Sequence, residues 1–288
     1  IAEKQVSNGF TAVNEKKVEK AARILNSESK TLLLMGGNAL NADTLLRAGR
    51  IAKKTNCKML TEWSNARLDR GAGRIELNRI PYVVEKATKI LKEFSHIILV
   101  DAREPVAFFA YPDKPGKLAP PKCEFLTISD SQQNADEALE LLEEMIGSKN
   151  EMAIGLSQSV KPPIPTGQIS PEGIACVLGA SLPEGSIVVD ESVTTGRDFF
   201  PRTAGAPPHI WLNNRGGSIG YGLPVALGAA IASPNRKVIA LESDGSGMYT
   251  PQTIWTIARE NLDITILIFS NRSYKILSGE LKNVGVAQ

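Results

Sequence analysis

Cysteine and histidine are scarce in this chain of 288 residues, and their scarcity narrows its chemistry. The three cysteines, Cys57, Cys123 and Cys176, lie far apart and form no CxxC pair. Such an odd, sparse set argues against a disulfide framework. It fits buried thiols in a reducing compartment, so a cytoplasmic location is expected. Two histidines, His96 and His209, are too few for a His-rich metal centre. His96 opens the run HIILV and reads as a strand-edge residue. His209 follows Pro207-Pro208, and the sequence leaves its role open between structure and chemistry. No apolar run approaches the ~20 residues that cross a bilayer, and the candidates, such as Ile264 to Phe269, have strand length. The order of charges and apolar residues after Ile1 is wrong for a secretory signal. The chain opens without a methionine, and a piece of a longer protein is expected. Neither sign of charge dominates: 33 basic against 31 acidic residues leave a net charge of +2. That balance does not point to a nucleic-acid or polyanion partner, which calls for clustered Lys and Arg. Lys16, Lys17 and Lys20 are interleaved with Glu15 and Glu19, as on a solvated helix face.

What is present is a 42% hydrophobic chain, long enough for two cores. Short β-branched runs alternate with stretches of helical spacing. TLLLM (31–35), CKML near Cys57, HIILV (96–100) and EFLTIS (124–129) read as strands. The spacings over 41–55, 81–94 and 135–146 predict helices. The segment 148–169 holds Pro162, Pro163 and Pro165 with Gly155 and Gly167, and reads as a linker. Alternation then resumes. Ser170-Pro171-Glu172 is a helix start, and SIVVD (186–190), RKVIALE (236–242) and DITILIF read as strands. Helices are predicted over 221–232 and from Thr250 to about 260. The expected fold class is α/β, with two domains, each a mainly parallel sheet flanked by helices on both faces. The expected limits are 1–147, a linker at 148–169, and 170–288.

SDGSG (243–247) follows the strand VIALE. Asp supplies a hard oxygen, and Gly allows a tight turn with amides close to a ligand. After Asp244 come a helix, the strand ITILIF and then Asn271. A helix joining adjacent parallel strands returns the chain to the same sheet edge, so Asp244 and Asn271 can meet. Two oxygen-bearing side chains at that edge suit Mg²⁺, which takes oxygen ligands and shares them with phosphates. Upstream, GGSIGYGLP from Gly216 is a glycine-rich turn leading into a helix.

GSIGYGLP, then SDGS, then SNRSY, at this spacing, resembles the thiamine-diphosphate signature of acetolactate-synthase-like and benzoylformate-decarboxylase-like enzymes. The resemblance runs from Ser170 to Gly285. It extends more loosely over Val13 to Gly147, which looks like the central domain of those enzymes. It implies thiamine diphosphate and Mg²⁺ as cofactors and a 2-oxo acid as substrate. It further implies a homodimer or homotetramer with the site at a subunit interface. Asp244 and Asn271 would bind the metal through side chains, and Ser273 through its carbonyl. Gly245, Ser246, Thr194 and the backbone of Val193 would hold the diphosphate. Ile219 would be an apolar wedge that bends the cofactor, with the Gly217 carbonyl accepting from its aminopyrimidine. Tyr274 would stand beside the cofactor.

The first glycine of the family's GDG is Ser243 here, and its Asn-Asn pair is Ser270-Asn271. The resemblance places the activating glutamate in a separate domain outside this chain, so no catalytic residue is assigned. RSYKILSGEL after Asn271 lacks the Gly-Met-Val and Gln-Trp pattern of acetohydroxyacid synthases. Together with REPVAFFAYPDKPG (103–116) it leans toward the benzoylformate-decarboxylase side, although a histidine expected near Phe109 to Tyr111 is missing. The implied function is a carboligase or decarboxylase of 2-oxo acids, acetolactate-synthase-like. The alternatives are a benzoylformate-type decarboxylase or a non-catalytic homologue. MGGN (35–38) lacks GxGxxG, so neither FAD in the central domain nor a nicotinamide-dependent dehydrogenase is expected.

Overall fold

The computed structural model describes residues 9–286, in two compact units. The first comprises residues up to 62, 78–108 and 117–154, and the second 63–77, 109–116 and 155 onward. The limits expected from the sequence are contiguous, whereas these units interleave along the chain.

In the first unit, α1 (Glu15–Leu25) precedes β1 (Thr31–Met35), α2 (Ala42–Thr55) and β2 (Lys58–Thr61). The next strand, β3 (Arg67–Arg70), belongs to the second unit. α3 (Val84–Leu91), β4 (His96–Val100), β5 (Glu124–Ser129) and α4 (Ala135–Ile146) complete the first. Its sheet has the order β2-β1-β4-β5, all parallel. TLLLM is buried at every position, as a parallel strand covered on both faces must be. α2 and α4 are joined by charge: Arg47 and Arg50 both meet Glu143, whose side chain is 1% exposed. At the end of β1, Gly36 and Gly37 lie against Asp101 and open a single 3-10 turn, Gly37–Leu40. A Cβ on Gly37 would stand 2.1 Å from the Asp101 carboxylate, which accepts from the Asn38 amide at 2.6 Å. The helix predicted over 81–94 is shorter, because Pro81 lies ahead of its first turn.

The second unit continues with α5 (Pro171–Ser181), β6 (Ile187–Glu191), α6 (Phe199–Arg202), β7 (His209–Asn213) and α7 (Gly222–Ala232). It ends with β8 (Val238–Ser243), α8 (Asp244–Gly247), α9 (Gln252–Arg259), β9 (Ile264–Phe269) and α10 (Lys275–Asn283). The sheet order is β3-β7-β6-β8-β9, with only β3 antiparallel to its neighbour. Alternate residues of β6 and β8 face opposite cores. Val188, Ile239 and Leu241 pack with Phe199 and Trp211 on one side, while Ile187, Val189, Val238 and Ala240 pack with Ala226 and Ala230 of α7 on the other. β3 and β7 are absent from the sequence reading; for β3 the reason is that RLDR carries three charges in four residues. Arg70 is nonetheless buried, its guanidinium 3.7 Å from the Phe200 ring centroid and donating to Thr203 Oγ1 at 2.7 Å.

The chain passes from β6 to β7 on one side, then returns to lay β8 on the other. The order therefore reverses between β6 and β8. Such a switch point opens a crevice at the carboxyl ends of the strands, where open α/β sheets bind ligands.

Candidate functional site

Four parallel strands, β6 to β9, deliver their following loops to one edge of the sheet. Every cofactor or metal residue expected from the sequence follows one of those strands. Val193 and Thr194 follow β6, Gly217 and Ile219 follow β7, Asp244 to Ser246 follow β8, and Asn271 to Tyr274 follow β9.

The loops after β8 and β9 are tied together. Asp244 Oδ2 accepts from the Arg272 amide at 2.8 Å and from Ser270 Oγ at 3.3 Å. Arg272 sits at φ 53°, a left-handed conformation that turns its amide onto the carboxylate. Asn271 Nδ2 donates to Thr194 Oγ1 at 3.3 Å, and Asn271 Oδ1 accepts from the Ser273 amide at 2.8 Å. Asp244, Asn271 and Thr194, from three loops, are thus brought to one place. Val193, at φ 49°, is a β-branched residue in the same left-handed region. That conformation costs about 1–2 kcal/mol and is kept only where the surroundings impose it. Asp190 steadies the start of this loop by accepting from the Ser192 amide at 3.1 Å and its hydroxyl at 2.5 Å.

Gly245 has no room for a side chain, since a Cβ there would stand 2.8 Å from the Tyr274 ring. Ser246 is buried, and its hydroxyl donates to Glu242 Oε1 at 2.6 Å. With that proton committed, the 2.5 Å contact between Ser246 and Ser243 hydroxyls runs from Ser243 to Ser246. Ser243, the departure from GDG, therefore completes a hydrogen-bonded chain from the loop to a buried carboxyl.

The turn after β7 is held at both ends by side chains the sequence reading did not select. Asn214 Oδ1 accepts from the Gly216 and Gly217 amides at 2.8 and 2.7 Å. Glu191, the last residue of β6, accepts from the Gly220 amide at 2.7 Å and the Gly222 amide at 2.6 Å. Gly217 and Gly220 adopt φ 73° and 94°, which glycine supports without strain. Between them Ile219 stands 39% exposed, although apolar. Thr250 Oγ1 donates to the Gly220 carbonyl at 2.8 Å, and the Tyr221 hydroxyl donates to the Asp190 carbonyl.

Glu191 and Glu242 are both buried and meet at Gly222, where a Cβ would lie 2.4 Å from one carboxylate and 2.8 Å from the other. Burial, together with the neighbouring Glu191 charge, pushes the Glu242 carboxyl up to about 8. Burial also raises Glu191, and the amides of Gly222, Gly220 and Tyr221 oppose that rise. Both Glu191 oxygens accept amides, an arrangement that favours its carboxylate form, while Glu242 is the member held protonated at neutral pH. Sequence alone could have flagged Glu191, as an acid ending an apolar strand at the ligand edge. Glu242 carries the same signal. His209 is structural: it is 3% exposed, its Nδ1 lies 2.8 Å from the Pro207 carbonyl, and burial lowers it to about 4. Of the thiols, Cys57 is buried, and Cys123 and Cys176 are half-buried.

This geometry defines a doubly wound α/β unit with an oxygen-lined ligand edge at its switch point. Comparison with known proteins makes the class specific. Residues 196–287 match the model described as thiamine pyrophosphate enzyme, C-terminal TPP binding domain. A Mycobacterium tuberculosis protein named as acetolactate synthase large subunit IlvX is 43% identical over 268 residues, covering 93% of this chain and 52% of that protein. A benzoylformate decarboxylase of Pseudomonas aeruginosa is 33% identical over 111 residues, covering 38% of this chain and 21% of that protein. The fold matches a thiamine diphosphate-dependent 4-hydroxybenzoylformate decarboxylase of Rhodococcus jostii with a TM-score of 0.75. That match has 21% identity and covers 100% of this chain and 56% of the other. The resemblance read from the sequence is thereby shown: residues 196–287 match the TPP binding domain of thiamine pyrophosphate enzymes, and the chain is similar to proteins named acetolactate synthase and benzoylformate decarboxylase. It spans about half the length of the relatives that match it nearly end to end, 52% and 51% of two acetolactate synthase large subunits.

Proposed function

We propose that the chain is part of a thiamine-diphosphate- and Mg²⁺-dependent enzyme that cleaves or forms carbon–carbon bonds of 2-oxo acids, in the manner of acetolactate synthase. The observation that carries this reading is the convergence of Asp244, Asn271 and Thr194, fixed by the Arg272–Asp244 and Asn271–Thr194 hydrogen bonds. A carboxylate, an amide oxygen and the Ser273 carbonyl are hard oxygen donors, and they leave positions for phosphate oxygens and water on an octahedral ion. The donor chemistry fits Mg²⁺. When bound, thiamine diphosphate would supply a nucleophilic carbon for the 2-oxo group and a cationic ring as the sink for the electron pair left behind by CO₂.

The residues of this chain bind and orient. Asp244, Asn271 and Ser273 hold the metal. Gly245, Thr194 and the backbone of Val193 hold the diphosphate, and Ser246 contributes through its backbone because its hydroxyl is committed to Glu242. Ile219 and the Gly217 carbonyl set the cofactor's shape, a proximity effect. Tyr274 covers Gly245 beside them. Residues 1–147 act as a central domain, 148–169 as its linker and 170–288 as the diphosphate domain. Benzoylformate-type decarboxylation is the second reading, favoured by the 33% identity over 111 residues. The full-length protein works as a homodimer or homotetramer.

The test is calorimetric titration of thiamine diphosphate into the full-length protein with Mg²⁺, followed by a panel of aliphatic and aromatic 2-oxo acids. Binding that Asp244→Ala abolishes, with CO₂ release from one class, is the expected outcome. Equal binding by Asp244→Ala removes the metal assignment. Absence of turnover on the whole panel by cofactor-loaded protein removes the enzymatic reading.

A further inference from the structure

The turn that carries Ile219 is suspended between two clamps of different chemistry. On its N-terminal side, Asn214 gathers the Gly216 and Gly217 amides with a neutral amide oxygen. On its C-terminal side, two amides that point into the protein meet the Glu191 carboxylate, one oxygen each, at 2.7 and 2.6 Å. Both of these bonds are buried, and Glu191 is 4% exposed. Glu191 is itself fixed by strand pairing, since it closes β6 in register with Glu242 of β8, on either side of the switch point. No side chain could replace the glycine at 222, where a Cβ would strike both carboxylates, so the backbone is drawn directly onto the acid. Charged acceptors hold N–H groups about twice as strongly as neutral ones, and they hold direction as well as distance. The exposed apolar Ile219 is the residue whose position this fixes.

We propose that Glu191 is a positioning residue for the cofactor: its carboxylate, by gripping the Gly220 and Gly222 amides, fixes the 217–222 turn and so holds Ile219 out toward the cofactor. Glu191 does not touch the reacting atoms. It converts the rigidity of the central strand β6 into the pose of a loop residue 28 positions later. This inference rests on the cofactor reading above only for what Ile219 is aimed at. The grip itself is independent of it.

The test uses the full-length protein and Glu191→Gln, with Glu242→Gln as the matched buried control. Glutamine keeps one acceptor but turns an NH₂ toward the second amide, so one bond is lost and one repulsion is made. In the absence of cofactor, hydrogen exchange of the Gly220–Gly222 amides should rise about tenfold or more in Glu191→Gln, while peptides from β8 stay protected. Glu242→Gln, which swaps a protonated carboxyl for a neutral amide and leaves both Glu191 bonds to the turn in place, should leave their exchange as in wild type. Affinity for thiamine diphosphate with Mg²⁺ should fall about tenfold in Glu191→Gln, with the site's Mg²⁺ dependence retained. Should Glu191→Gln fail to fold, Glu191→Asp, which keeps the charge but falls short by one methylene, is read by the same exchange. Unchanged exchange over 220–222 in a folded Glu191 variant overturns the proposal. So does equal loosening in both glutamine variants, which would make Glu191 mere buried bulk. If wild-type protein binds no thiamine diphosphate, the cofactor reading fails, and the exchange experiment still decides whether Glu191 sets the turn.

Discussion

Gly222 shows how narrow the tolerances at this edge are. Its α-carbon stands where two buried carboxyl side chains meet, and an added methyl would fall 2.4 Å from Glu242 and 2.8 Å from Glu191. Gly222→Ala should destabilise the protein by about 1–3 kcal/mol, the usual cost of overpacking a buried site, measured by urea unfolding. His209 gives a pH prediction. Burial holds it neutral to about 4, whereas its ordinary value is 6.5. Below 6.5 the unfolded chain binds a proton that the folded one does not. Stability contributed by neutral His209 is therefore full above 6.5 and falls as pH drops from 6.5 toward 4. Unfolding free energies measured across that window should slope less in His209→Gln than in wild type. At this scale the sequence displayed Asp244, Asn271 and Ile219, because family spacing marks them. It hid Asn214, and it hid the partners of Glu191, because both side chains meet backbone amides that only a turn's conformation brings within reach.

Among elements, legibility followed burial on both faces. TLLLM, HIILV and VIALE are continuous apolar runs, and they form parallel strands where they were expected. α4 runs from Ala135 to Ile146 as its periodicity required, capped by Asn134 and ended by Gly147 at φ 71°. β3 was illegible because its buried members include an arginine, satisfied by Phe200, Trp211 and Thr203. No local pattern announces a cation that stacks on aromatic rings more than a hundred residues away. α10 buries none of its residues among those described, and the sequence reading placed no helix there. The α2–α4 contact supports its own prediction. Glu143→Ala would leave Arg47 and Arg50 without their shared, buried carboxylate. A loss of about 3 kcal/mol is expected, at the lower end for a broken buried pair, because the arginines remain about a fifth exposed. Thermal unfolding at pH 7 checks it.

At the scale of the whole molecule, one stretch of exposed apolar surface lies near the C-terminal end of the second unit. Tyr274, Leu277, Leu281 and Val286 are each about half exposed, along and just beyond α10. Surface of this kind marks contact regions. The 288-residue chain on its own should therefore self-associate as its concentration rises, and Leu277→Lys with Leu281→Lys should keep it monomeric in analytical ultracentrifugation. Two units and their parallel sheets were legible as alternation of strand and helix. Their interleaving was not, because β3 enters the second sheet from a stretch flanked on both sides by strands of the first.

The reversal of strand order between β6 and β8 also separates what must be constant from what can drift. The crossovers that follow the two strands lead away in opposite directions along the sheet, to β7 and to β9. The acids at their bases stay in register through the ladder beneath. A lineage built on this frame can exchange loop tips, and with them its choice of small molecule, without reopening the question of how the anchor is held.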